Sequence, residues 1–265
     1  MNIPLEDDFH DILCKAQRGL GLAIDQLAIS AGIAAADLQR VMSGKFDEHI
    51  VRRVAPLLHL SADRLVVSGR KAWRPLKRSQ PSLLCCATPY GAMTVNAYLV
   101  CDTKTKRAAA FDTGTDCSGM LDAGFTITDI FITHTHADHI ADLERLKQKT
   151  DATVHVSRFE PLAGAHLFEW GERFSIGGLT IECRQTSGHS RGGTTYVVTG
   201  LATPVAVVGD AMFAGSMGNG FVSYTEALRN NREQILTLTE ETILCPGHGP
   251  LTTVGEEKAH NPFFP

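Results

Sequence analysis

Apolar and polar positions follow two rhythms along this chain. Up to about residue 69 the apolar residues recur at three- and four-residue spacing, the period of a helix. Phe9 to Leu20, Ile24 to Ala31 and Ala35 to Met42 are expected as helices, with Gly32 and Gly44 free to turn the backbone after the second and third. His49 to Leu58, with Val51, Val54, Ala55 and Leu58 on one face, predicts a fourth, and Ser61 to Leu65 a last short turn. Residues 70–81 lose the period; they are basic and bracketed by Pro75 and Pro81, and read as a linker. From Ser82 short β-branched and apolar runs take over. Strands are expected at Ser82 to Thr88, Ala92 to Cys101, Ala108 to Phe111, Ile127 to Ile132, Thr153 to Val156, Phe174 to Ile181 (a hairpin), Thr194 to Thr199, Val205 to Val208 and Thr242 to Cys245. Helices interrupt them near Gly119 to Ala123, through Leu143, Leu146 and Lys149, and over Tyr224 to Leu238, while Phe159 to Phe168 reads as loop or helix.

The chemistry gathers where strands end. After the Ile127 to Ile132 run comes Thr133-His134-Thr135-His136-Ala137-Asp138-His139. Residues at the carboxyl end of a strand project from one edge of a sheet, where ligands bind. Three further residues share that setting, each beside a glycine: His189 in Ser187-Gly188-His189, Asp210 in Val208-Gly209-Asp210, and His248 in Pro246-Gly247-His248-Gly249-Pro250. A His-rich loop alone is merely polar, but the same residue types in four matching loops point to a metal centre. Imidazole and carboxylate donors suit zinc, iron and manganese alike. His155 and His166 lack the Gly-flanked strand-end setting and receive no metal role.

The HxHxDH motif, followed by a Gly-flanked His, a strand-end Asp and a PGHGP His, resembles the metallo-β-lactamase superfamily. Gly209 to Ser216, Pro246 to Glu257 and the closing Asn261-Pro262-Phe263 are similar to its hydroxyacylglutathione hydrolase (glyoxalase II) branch, and the resemblance covers residues 82–265. It implies an α+β, four-layer αββα sandwich. It also implies a metal-dependent hydrolase. Seven donors exceed one tetrahedral ion, so two divalent ions are expected, zinc first, with iron or manganese as alternatives. By resemblance His134, His136 and His189 hold one, Asp138, His139 and His248 the other, and Asp210 bridges them, with Asp138 and Asp210 also assigned catalytic roles and Asp112, after the Ala108 to Phe111 strand, a structural one under the metal site. The implied reaction is hydrolysis of a thioester or related acyl ester by a metal-bridging hydroxide. A thiolate leaves without a dedicated general acid, its thiol pKa being ~8.5. Competing readings are a one-iron persulfide dioxygenase, a DNA-binding regulator with a metal-domain sensor, and a lactonase or phosphodiesterase.

Charge and cysteine usage refine this picture. The net charge is −4, but residues 1–80 carry 12 Lys+Arg against 9 Asp+Glu, a small basic module on an acidic body. Seven scattered cysteines without a CxxC pair read as reduced, buried thiols, and with no membrane span or secretory leader in the sequence this favours the cytoplasm. The arrangement Gln26-Leu27-Ala28, Ala31-Gly32-Ile33, Leu38, Val41, Gly44 resembles the helix-turn-helix of lambda-repressor-like (Cro/C1-type) regulators. In such domains the N-terminal residues of the second helix read bases. Here they are Ala34-Ala35-Ala36, which make no bidentate hydrogen bond, leaving Gln39 and Arg40 as the polar candidates. Three domain segments are therefore expected: a helical module over 1–69 with DNA binding, homodimerisation or covering of the site as its roles, the linker 70–81, and a catalytic domain over 82–265.

Overall fold

The computed structural model describes residues 3–265, so Met1 and Asn2, the start of the stretch expected to lack a secretory leader, lie outside it. Five helices come first: α1 (Phe9–Gly19), α2 (Ile24–Ala31), α3 (Ala35–Met42), α4 (Glu48–Val54) and α5 (Ala62–Gly69). Gly32 takes a left-handed φ of 61° at the end of α2. The expected fourth helix is split. Pro56 cannot donate into a helical ladder, and Ala55–Leu58 tighten into a 3-10 turn.

Two six-stranded sheets follow. The first runs in order β1 (Leu83–Tyr90), β2 (Met93–Asp102), β3 (Arg107–Phe111), β4 (Thr126–Phe131), β5 (Thr153–Ser157), β6 (His166–Phe168), with β1 to β3 antiparallel and β3 to β6 parallel. The short β6 replaces the loop or helix expected there. The second holds β7 (Arg173–Ile176), β8 (Leu179–Gln185), β9 (Thr194–Thr199), β10 (Val205–Gly209), β11 (Ile243–Pro246) and β12 (Thr252–Thr253) in sequence across the sheet, β10 and β11 parallel. Helices α6 (Ser118–Leu121) and α7 (Leu143–Thr150) belong to the first half, α8 (Tyr224–Asn230) and α9 (Val254–His260) to the second. The single helix expected over 224–238 ends at Asn230 and continues as a wider turn, Asn231–Ile235.

Period-two alternation builds the layers. Tyr98, Val100, Phe111 and Phe131 of the first sheet meet Ile181, Tyr196, Val198, Val205 and Val207 of the second in one apolar layer. The residues between them face outward: Ala108, Ala110 and Ile130 pack with Met120 and Leu146, while Val197, Ala206, Val208 and Leu244 pack beneath Ala227, Val254, Phe263 and Phe264. That second outer core is continuous with Phe9, Leu13, Leu27, Leu38, Val51, Leu58 and Leu65, so the N-terminal helices lie on the outer helical layer of the second sheet. Hydrogen bonds to the C-terminal backbone fasten them there, with Ser61 N donating to Pro262 O and Arg64 Nη1 to Asn261 O. Buried polar groups join the two sheets at the strand ends. Tyr98 Oη donates to Pro246 O at 2.7 Å, Tyr196 Oη to Ile132 O at 2.6 Å, and Asn96 Nδ2 to Pro246 O and Gly249 O at 3.0 and 2.7 Å.

Residues 70–81 hold no helix or strand. Trp73 is pinned by stacking on His260, ring centres 4.6 Å apart. All seven cysteines are free. No helix among the described residues is long and apolar enough to cross a membrane.

Candidate metal centre

The seven residues singled out from the sequence come together at the carboxyl ends of β4, β8, β10 and β11. Donor atoms of His134, His136, His189 and Asp210 lie within 4.8 Å of one another, as do those of Asp138, His139 and His248. Each loop is shaped for this. β10 and β11 slip register between Val207 and Gly209, and Gly209 turns with φ 50°, delivering Asp210 to the sheet edge. A Cβ on Gly209 would lie 2.5 Å from Thr133 Oγ1, so a side chain there would push β10 off the histidine loop.

Hydrogen bonds fix which nitrogen of each ring faces inward. His139 Nδ1 donates to Asp112 Oδ2 at 2.8 Å. The same oxygen accepts from Thr133 Oγ1 at 2.7 Å, and that hydroxyl in turn is 3.1 Å from His134 Nδ1. His189 Nδ1 donates to Asn219 O and His248 Nδ1 to Thr94 O, both at 2.8 Å. With Nδ1–H committed outward, Nε2 of all four rings points into the centre, where a cation can take the place of its proton, the arrangement that tunes imidazole as a metal ligand. His136 instead turns Nδ1 inward, 3.0 Å from His134 Nε2 and 3.1 Å from His189 Nε2.

Asp210 stands between the two groups. Its Oδ1 is 3.4 Å from His139 Nε2, and its Oδ2 is 3.5 Å from both His189 Nε2 and His248 Nε2. Asp138 Oδ2 lies 3.2 Å from His248 Nε2 and 3.7 Å from His139 Nε2. Burial lifts the Asp210 carboxyl, but the charges of His139, His248 and His134 outweigh it and hold it well below the usual range. Burial, aided by the neighbouring imidazole of His139, holds His134 well below an ordinary histidine. His248 is pushed down by burial and raised further by Asp138 and Asp210, to about 9.

These residues fit a metal pair. Donors about 2.1 Å from a tetrahedral ion stand roughly 3.4 Å apart, and the ring–ring and ring–carboxylate separations cluster near that value. His139 Nε2 and Asp210 Oδ1 are buried without a hydrogen-bond partner, a costly state unless a cation satisfies both. One proton between His136 Nδ1 and two other ring nitrogens serves a single contact, whereas one cation serves all three.

Several supporting residues gave no sequence signal. Glu160 takes Thr135 N and Oγ1 on one oxygen, at 3.0 and 2.6 Å, and Gly192 N on the other at 2.8 Å, tying the histidine loop to the His189 loop. Asn219 and Thr94 act through backbone carbonyls, which no residue type announces. Glu6 lies against Gly249 beside His248, and burial pushes its carboxyl up to about 7. Asp112 behaves as expected, beneath the centre rather than in it. His155 pairs with Asp129 at 2.8 Å and stacks on Phe131, and His166 is exposed.

Cavity size does not mark this centre. A cavity of about 730 Å³ lies between linker residues 74–79 and β1 and is lined by none of the seven residues. Gly247 shows how tightly the centre itself is built, since a Cβ would fall 2.2 Å from Asp210 Oδ1 and 2.5 Å from His139 Cε1. Gly247→Ala is expected to displace Asp210 or His139 and lower metal affinity at least about tenfold, the scale set by disturbing a ligand's support. Chelator competition on the variant checks this, and wild-type affinity would contradict the packing described.

Comparison with known proteins agrees with this geometry. Residues 90–248 match the family model described as the metallo-beta-lactamase superfamily. The probable metallo-hydrolase YqgX of Bacillus subtilis is 30% identical over 204 residues, 66% of this chain and 95% of that protein. Hydroxyacylglutathione hydrolase of Pseudomonas putida is 29% identical over 181 residues, 63% of this chain and 67% of that protein. Among solved structures, that of BLEG-1 B3 metallo-beta-lactamase superposes with a TM-score of 0.60 at 30% identity, covering 68% of this chain and 99% of that one. The family match begins after α5 and the linker, which therefore lie outside it. The strand-end histidines, the two facing sheets and the span of the match together make this chain a member of the metallo-beta-lactamase superfamily.

Proposed function

We propose that the chain is a dinuclear metal-dependent hydrolase that cleaves an acyl thioester or a related ester. The observation that carries this reading is Asp210, whose two oxygens face donors of both groups, with Oδ1 otherwise unpartnered. His134, His136 and His189 would hold one divalent ion and Asp138, His139 and His248 the other, with Asp210 shared. When bound, such a pair supplies a nucleophile from water at neutral pH and a Lewis acid for a carbonyl oxygen.

The protein's own residues do the rest. Asp112, through Thr133 and His139, holds two rings in the tautomer that presents Nε2. Asp210 and Asp138 would supply negative charge to balance bound cations. Phe221 and Val222, 71% and 50% exposed, form an apolar rim, with the Phe221 ring 5.3 Å from that of His189. A thioester suits this centre because its thiolate leaves without a proton donor. The likeness to hydroxyacylglutathione hydrolase supports the same substrate class. Zinc is the favoured ion, since four-coordinate imidazole and carboxylate sites suit it.

For the helical module a DNA reading gains little. Ala34 at the cap of α3 and Ala36, Gln39 and Arg40 along it are exposed, but Arg40 is paired with Asp37 at 2.8 Å.

The test is turnover of S-lactoylglutathione and of simple acyl thioesters by metal-loaded protein, with oxygen uptake followed in parallel on glutathione persulfide. Thioester hydrolysis that disappears with chelator and returns with zinc is the expected result. Oxygen consumption without hydrolysis, or hydrolysis confined to lactones or phosphodiesters, would sink it.

A further inference from the structure

The helices outside the family match reach the metal centre. Lys15, midway along α1 and 8% exposed, donates to Asp7 Oδ2 at 2.5 Å and to Met217 O at 2.8 Å. Asp7, also buried, accepts from Ser216 Oγ at 2.5 Å. The Lys15 ammonium lies 5.0 Å from the centre of the Phe213 ring. Nearly one turn further on, Arg18 Nη2 donates to Asn219 Oδ1 at 2.9 Å. Apart from the Lys15–Asp7 pair itself, these contacts land on residues 213–219, between Asp210 and α8. That segment touches the centre directly. Asn219 O accepts from His189 Nδ1, and a Cβ on Gly218 would lie 2.0 Å from Asp210 O and 2.9 Å from His189 Nδ1.

A buried ammonium–carboxylate pair adds little net stability, because desolvation offsets the attraction. Its effect here is on geometry. Lys15 spends its donors on a carboxylate and a carbonyl and lies against an aromatic face, so its partners are held in one arrangement. Met217 and Phe213, and Ser216 through Asp7, belong to the segment that carries the acceptor of His189.

We propose that α1 is a supporting part of the metal centre: Lys15 with Asp7, and Arg18, are positioning residues that hold the 213–219 segment so that Asn219 O fixes the His189 ring. This rests on the reading of His189 as a ligand. Its test reads metal binding alone, so an absence of thioester turnover would count against the proposed reaction and leave this inference standing.

The experiment is chelator competition on the full chain with zinc, and the visible spectrum of the cobalt-substituted protein, with circular dichroism as the check on folding. Lys15→Met is expected to weaken one of the two ions at least about tenfold and to shift the cobalt bands, the size seen when a ligand's outer partner is lost. Lys15→Arg, which keeps a cationic donor, should recover part of that loss. Arg18→Ala, at an exposed position that leaves the core intact, should shift the same ion in the same direction by a smaller factor. Asp63→Ala, 86% exposed on α5, should change nothing. A folded Lys15→Met protein with wild-type affinity and spectrum overturns the proposal. If that variant fails to fold, an unchanged affinity and spectrum in Arg18→Ala overturns it instead.

Discussion

Replacing Asp210 with alanine is expected to strip the centre of at least one ion and to lower turnover by far more than the roughly 10- to 100-fold that loss of an outer hydrogen-bond partner costs. The reason lies in its position. Asp210 is buried and faces His139 through one oxygen and His189 and His248 through the other. Without it the histidines on either side share no donor, and cationic charge brought into the centre loses its nearest counter-charge. Asp210→Asn keeps the shape and removes the charge, so it separates the two effects. The alanine variant should lose metal and activity together. The asparagine variant should retain more metal than activity if the charge matters most at the reacting carbonyl. Metal content and turnover measured on the same samples check both.

The second large effect is expected at Asp112, which touches no candidate ion. Its Oδ2 accepts from both Thr133 Oγ1 and His139 Nδ1, and its Oδ1 from Thr133 N at 2.7 Å. Its backbone is left-handed, with φ 55°. Asparagine tolerates that conformation, so Asp112→Asn changes hydrogen bonding without adding strain. If the amide oxygen keeps Thr133 N, the amide NH₂ confronts two donors. His139 then loses the acceptor that sets its tautomer, and the Thr133 hydroxyl loses the one that turns its lone pair to His134. Metal affinity should fall about 10- to 100-fold, and stability by about 1–3 kcal/mol for the buried groups left unpaired. Chelator competition and denaturant unfolding check the two figures. A fall in stability with unchanged metal affinity would show that Asp112 acts on the fold alone.

Much of the centre is legible in the sequence because its donors obey one rule: each follows an apolar run and sits where a strand ends. His134, His136, Asp138, His139, His189, Asp210 and His248 could all be named on that ground, and the structure brings all seven together. Their supports could not. Thr94 and Asn219 offer carbonyls, which every residue has. Glu160 binds residues 25 and 32 positions away, and Lys15 binds one 202 positions away, separations at which local pattern carries no information. The same holds for secondary structure. Helices α2 and α3 were predicted to the residue because apolar spacing and a following glycine agree. Apolar spacing on both sides of Pro56 predicts one continuous fourth helix, whereas the proline's missing donor ends α4 at Val54. Helix α9 was not predicted at all, since Gly255-Glu256-Glu257-Lys258 shows no apolar stripe. Its Glu257 is nonetheless fully buried, taking Thr252 Oγ1 at 2.7 Å and Asn261 Nδ2 at 2.8 Å. The placement of the helical module was also hidden. Its apolar spacing predicts helices but not what they pack on, and Phe9, Leu13 and Leu65 share a core with Val208, Leu244 and Phe263.

The most direct test of the dinuclear reading is the metal content of the purified full chain, determined by elemental analysis after equilibration with zinc, iron and manganese in turn. Two ions per chain, falling in Asp210→Ala, is the expected result. One ion per chain in the wild-type protein, iron alone and unaffected by that substitution, would contradict it.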